Sequence, residues 1–183
     1  MACNLTAGRN EPCKDAIGGL QGVYFLNFST GSITKDGNGE VTAFDAAGYP
    51  SAYYYELKGN SSYTETVNTS RDNGTTFFSQ ELTLNLKKLD NEMHTELKLL
   101  AYGRPKVVVQ TKNGEAFLVG EVEGADVTAG SIQTGAALGD LYGYSITLTG
   151  TEKLPASFLS GSSASDTFGN LTVAPSIVYG TNS

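Results

Sequence analysis

Two Asn-Gly dipeptides do most to constrain how this chain can fold. Asn73-Gly74 and Asn113-Gly114 each stand between runs rich in Thr, Val, Tyr and Phe. Asn and Gly accept the positive φ that tight hairpin turns require, so each dipeptide predicts two neighbouring antiparallel strands. The flanking runs agree. Residues 106–110 (Lys-Val-Val-Val-Gln) and 116–120 (Ala-Phe-Leu-Val-Gly) bracket the second turn. Around the first, residues 61–70 set Tyr63, Glu65, Val67 and Thr69 against polar neighbours, and Leu82, Leu84 and Leu86 alternate with Thr83 and Asn85. That period of two belongs to strands with one buried and one wet face.

After Asp90 the period changes. Met93, Leu97, Leu100 and Ala101 recur at i, i+4, i+7 and i+8, which predicts an amphipathic helix over 90–102. Asp90 suits the N-cap, Glu92 puts negative charge in the first turn, and Gly103 followed by Pro105 stops the helix. Further strands are expected at 22–28, 41–45, 51–58 and 143–150. The apolar run 22–28 reads as a strand covered on both faces. A Gly-rich loop is expected over 124–140, and a single helical turn at 12–17. Short strands joined by Gly-containing turns make the fold class mainly β, a sandwich or barrel of antiparallel strands with one flanking helix. The chain divides into a domain over 1–156, including an N-terminal arm, and a Ser/Gly-rich link with a C-terminal arm over 157–183.

Composition narrows the function classes. With 39% hydrophobic and only 17% charged residues among 183, the chain can bury a core and is not a charge-rich disordered one. A net charge of −7 argues against a broad surface gripping nucleic acid, which needs clustered Lys and Arg. No apolar run approaches the roughly 20 residues of a membrane helix, and the first residues show no apolar leader core, so a soluble protein made in a cytoplasm is expected. The six Asn-x-Ser/Thr sequons, at Asn4, Asn27, Asn60, Asn68, Asn73 and Asn170, then reflect abundant Asn, Ser and Thr.

Motifs for chemistry are sparse. Asp36, Asn38 and Glu40 have the spacing that opens a calcium loop, but Val41 and Ala47 occupy the places of its Gly and closing Glu, so a tight turn is expected. Cys3 and Cys13, the only cysteines, read as free or packed thiols, with a late disulfide as the alternative. A zinc site would need more ligands than one His supplies. That His, His94, sits in the first turn of the expected helix, with no Gly-x-Ser-x-Gly elbow anywhere to serve. Neither a P-loop nor a strand–GxGxxG–helix order is present. No catalytic, cofactor or metal residues are assigned. The run Tyr53-Tyr54-Tyr55 cannot make one flat platform, because successive strand residues face opposite ways.

Several motifs recur in an order that carries a resemblance: Leu99-Leu100-Ala101, Val107-Val108-Val109, Val127-Thr128-Ala129-Gly130, Gly139-Asp140, and the stretch 143–156 beginning Gly-Tyr-Ser-Ile-Thr-Leu-Thr-Gly. Over somewhat under half of the chain this resembles virion structural proteins of tailed bacteriophages, of the tail-tube-like or head–tail neck-ring kind. The N-terminal half has no counterpart in that pattern. The resemblance implies a β-sandwich or barrel with a flanking helix, subunits that close into rings of six or a multiple, and inner sheets that join into a continuous lining. Partners would be further copies and other tail or neck proteins, in a virion assembled in the bacterial cytoplasm, with double-stranded DNA passing through unbound. Contact residues would be Val107, Val109, Phe117 and Val119 on the second hairpin. In the Gly-rich loop they would be Val127, Ala129, Gly130, Ile132, Leu138 and Asp140. The alternative is a capsid decoration or glycan-binding adhesin module using the tyrosine run and the polar loops.

Overall fold

The computed structural model describes residues 7–11 and 13–180, so Asn4, Cys3, and Pro12 of the anticipated helical turn lie outside the described residues. Residues 13–17 carry no helix, and Cys13 is exposed. The chain is mainly β with a single helix among the described residues. In order it runs β1 (Leu20–Leu26), β2 (Ile33–Lys35), β3 (Val41–Phe44), β4 (Ser51–Glu56), β5 (Ser62–Ser70), β6 (Thr75–Lys87), α1 (Asn91–Tyr102), β7 (Lys106–Thr111), β8 (Ala116–Val119), β9 (Asp126–Gln133), β10 (Gly143–Glu152), β11 (Ser157–Phe158) and β12 (Ser176–Tyr179).

Three sheets form. The largest has six strands in the order β11-β8-β7-β1-β4-β12, a second has β5-β6-β10-β9, and β2 pairs with β3 as a ribbon. The six-stranded sheet is the middle layer, as the unbroken apolar runs of β1 and β7 require. On one face Val23, Phe25, Val107, Val109 and Val119 pack with Leu82, Leu84, Tyr144, Ile146 and Leu148 of the four-stranded sheet. On the other, Tyr24, Leu26, Val108 and Leu118 pack with Val41, Phe44, Tyr49, Leu159 and Phe168. The hairpin turns form where Asn-Gly placed them, with positive φ at Gly74 and Gly114. At Asp36 the turn is an Asx type, its carboxylate accepting from the N–H groups of Asn38 and Glu40 at 2.8 and 2.9 Å.

Differences from the sequence expectation have physical causes. The Gly-rich stretch 124–140 contains an eight-residue strand, β9, exposed along almost its whole length. An edge strand built from Thr, Ala, Gly and Ser has no alternation of polarity to betray it. The segment after 156, expected as a flexible link to a tail whose strand character could return to its own sheet or add to a neighbour's edge, packs into the chain's own fold. β11 pairs with β8, β12 lies parallel to β4, and Leu159 and Phe168 are buried in the second core. Asp90 occupies the N-cap of α1 without a side-chain capping bond; instead the Tyr144 hydroxyl donates to its carbonyl at 3.0 Å. Gly103 ends the helix, its N–H donating to the Leu99 carbonyl.

Candidate functional site

The four-stranded sheet is where the chain is left unfinished. Its strands alternate in direction, β5 against β6, β6 against β10 and β10 against β9, and among the described residues its outermost strands β5 and β9 have no strand partner on their outer edges. Unpaired N–H and C=O groups along nine- and eight-residue strands are templates for another strand. The middle sheet differs: β11 and β12, its edges, are only two and four residues long, and Pro155 and Pro175 stand just before them.

The outer face of the four-stranded sheet follows from strand register. Thr66, Ser79 and Thr151 form one row; Thr64, Glu81 and Thr149 a second; Ser62, Thr83, Thr147 and Ala129 a third; Asn85, Ser145 and Ser131 a fourth. The bulge at Thr128 brings its hydroxyl within 2.9 Å of the Thr149 hydroxyl. This face is mostly hydroxyls, with Phe77 of β6, opposite Asn68 and 42% exposed, as an aromatic exception. Its acids are Glu81 and, at the β9 edge, Asp126, with Lys87 at one end.

Behind β9 the inner face is open. Helix α1 buries none of its residues completely, and only Met93, Leu97 and Leu100 lean on the core. Between the helix and the sheet lies a groove of about 270 Å³ walled mainly by Leu97, Ala101, Val127, Gly130, Ile132 and Ile146, with His94 and Lys98 on the helix side. Past β9 the chain turns at residues 134–142, where Asp140 accepts from the N–H groups of Ala136 and Ala137 at 2.9 and 2.8 Å. Those two bonds hold its carboxyl below the usual carboxylate range. Leu138 stands fully exposed on this turn.

The expected contact residues therefore separate. Val127, Gly130 and Ile132 share the groove wall, while Ala129 faces outward from the same strand. Val107, Val109 and Val119 are wholly buried in the chain's own core and present no side chain to a partner. Phe117 is half-buried between the rings of Tyr63 and Phe158. An apolar run such as 107–109 reads alike whether a neighbouring subunit or the chain's own second layer covers it, and here the second layer does. The tyrosine run divides as strand geometry demands. Tyr54 packs on Tyr24 and Tyr55 edge-on to Phe25, leaving Tyr53 exposed. Of the two open edges, β9 went unread in the sequence; β5 was expected as a strand with one wet face, but nothing marked it as an edge carrying Val67, an aliphatic residue 57% exposed on a polar strand.

Polar groups in the interior are structural. Lys106 is only 4% exposed, donates to the Tyr49 hydroxyl at 2.6 Å, and lies near the Phe28 and Tyr49 rings. Burial lowers its pKa against the opposing pull of Glu121 and Glu152. Glu152 accepts from the N–H groups of Val122 and Glu123, and Gln80 bridges Glu65 to the Gly120 N–H. Among the described residues, no three His, Cys, Asp or Glu side chains cluster as metal ligands, and no helix is long and apolar enough to cross a membrane.

Comparison of the chain with protein-family models, with curated proteins and with solved structures finds no match.

Proposed function

We propose that the chain is a self-assembling ring or tube subunit of a tailed-phage virion, with the four-stranded sheet as the lining of a DNA conduit. The observation that carries this reading is the sheet itself, two unpaired edges bounding an outward polar face. Because its four strands alternate in direction, β5 and β9 run opposite ways. A copy rotated about an axis along the strands then sets its β5 antiparallel to β9, and repetition closes a barrel with no free edge. Such a contact is head-to-tail, the kind that makes rings. The face turned to the channel would carry hydroxyls, Glu81 and Asp126 and little positive charge, so DNA phosphates would find few cations to displace their counterions.

The test is negative-stain electron microscopy of the purified protein, with light scattering for mass. Annular or tubular particles with an open centre are expected. Discrete monomers at every concentration overturn the reading. Subunits that stay small and bind cells or glycans instead would establish a decoration or adhesin module.

A further inference from the structure

We propose that the groove between α1 and β9 is the seat of a second copy's β5 strand, which pairs antiparallel with β9 so that Val67 of the neighbouring copy lies opposite Gly130. This deepens the ring reading and rests on it. Three observations choose the occupant and the register.

The first is shape. Gly130 forms part of the groove wall, and a Cβ added there would meet nothing nearer than the Ser145 carbonyl oxygen at 3.8 Å, so the wall has a vacant place facing the core side. Val127, Gly130 and Ile132 face inward on β9, and Tyr63, Glu65 and Val67 face inward on β5. Continuing the sheet therefore puts Val67, more than half exposed in the single chain, on the groove side. Ile132, 54% exposed at the rim, would be covered by the same step.

The second is polarity. Since inner faces must match, register can change only in steps of two residues. One step either way sets Glu65 or Thr69 opposite Gly130; Glu65 already accepts from the Gln80 side chain and the Ala156 N–H of its own chain, and Thr69 brings a hydroxyl where the wall is apolar. Val67 is the aliphatic choice.

The third is charge. With Val67 opposite Gly130, the two strands overlap almost fully. Arg71 of the neighbour falls beside Asp126, and its Glu65 falls opposite Ile132, at the end of the groove that His94 also lines. Unlike charges meet at the Arg71 end. A β9-to-β9 pairing of two copies would instead set Asp126 of each chain near Gln133 of the other and leave both Val67 side chains in water.

The test is disulfide trapping in a Cys3→Ser, Cys13→Ser background. The register sets Ser131 opposite Thr66 on the outer face, so a chain carrying Ser131→Cys and Thr66→Cys should oxidise into a ladder of covalent oligomers, while each single variant should not. Cross-strand neighbours of this kind lie within disulfide reach. Cross-linking of Ser131→Cys alone would mean β9-to-β9 pairing and overturn the proposal. So would a ladder from Ser131→Cys with Thr64→Cys and none from the first pair. Gly130→Val supplies a check that needs no cysteine. It should fill the groove, keep the wild-type unfolding midpoint and lose assembly; assembly as in the wild type overturns the proposal. Rings that form without the predicted ladder defeat this inference alone, whereas a wild-type chain that never assembles defeats the ring reading with it.

Discussion

The two large sheets of this protein solve opposite problems with similar strands. The six-stranded sheet is covered on both faces and ends in strands too short to recruit a partner. The four-stranded sheet is covered on one face only and ends in two of the longer strands of the molecule. Edge length separates them more than composition does. A buried sheet with blunt edges makes a stable monomer, whereas a half-buried sheet with long bare edges invites a neighbour. The closing strands β11 and β12 lie within residues 157–179, which seal one sheet and leave the other open.

The contrast can be broken most severely from the sealed sheet. Leu118 is fully buried on β8, and Leu118→Ala should cost about 2–5 kcal/mol in chemical denaturation, the range for truncated core leucines. Next in size is Glu152→Ala, which strips the Val122 and Glu123 N–H groups of their acceptor and should cost about 1–3 kcal/mol.

A pH series sharpens the comparison further, because the middle sheet holds a buried lysine, Lys106. The native state binds the Lys106 proton less tightly than the unfolded chain, since burial lowers its pKa. The unfolded state therefore carries more protons, and stability should rise with pH through the lowered pKa toward the ordinary lysine value. Lys106→Met should be at least as stable as the wild type at pH 7, with the gap closing as pH approaches 10. Beyond that point buried tyrosines reverse the trend. Tyr55, pushed up to about 12 by burial with Glu96 and Glu92 nearby, stays neutral in the fold while unfolded tyrosines ionise, so stability falls between pH 10 and 12. The smallest effect belongs to the open sheet. Thr147→Ala, on the hydroxyl face, should change stability by less than about 0.5 kcal/mol, so any loss of assembly would report on that face alone.

Much of this contrast could be read in the sequence, and its limits have a physical basis. Leu82, Leu84 and Leu86 declared a half-buried strand, the two Asn-Gly turns declared hairpins, and the change of period after Asp90 declared α1 within a residue. Those signals are local. What covers the second face of β7 is not local: Leu159 and Phe168, about fifty to sixty residues downstream of Val108, complete that core. No property of the run 107–109 distinguishes them from a neighbouring subunit. Strand β9 escaped for a different reason. A strand exposed on both faces has no periodicity, and its Gly, Ala and Ser content argues for a loop. Of the anticipated contact residues, those in the Gly-rich stretch lie on or beside the open edge, while on the hairpin Val107, Val109 and Val119 are core and Phe117 is half-buried against it.

The most direct test of the account is amide hydrogen exchange measured across protein concentration. Assembly through the open sheet predicts that protection rises together over 62–70 and 126–133, and stays constant in β1, β7, β11 and β12. Protection that does not change with concentration, or that rises on one of the two edges alone, would contradict head-to-tail pairing of β5 with β9.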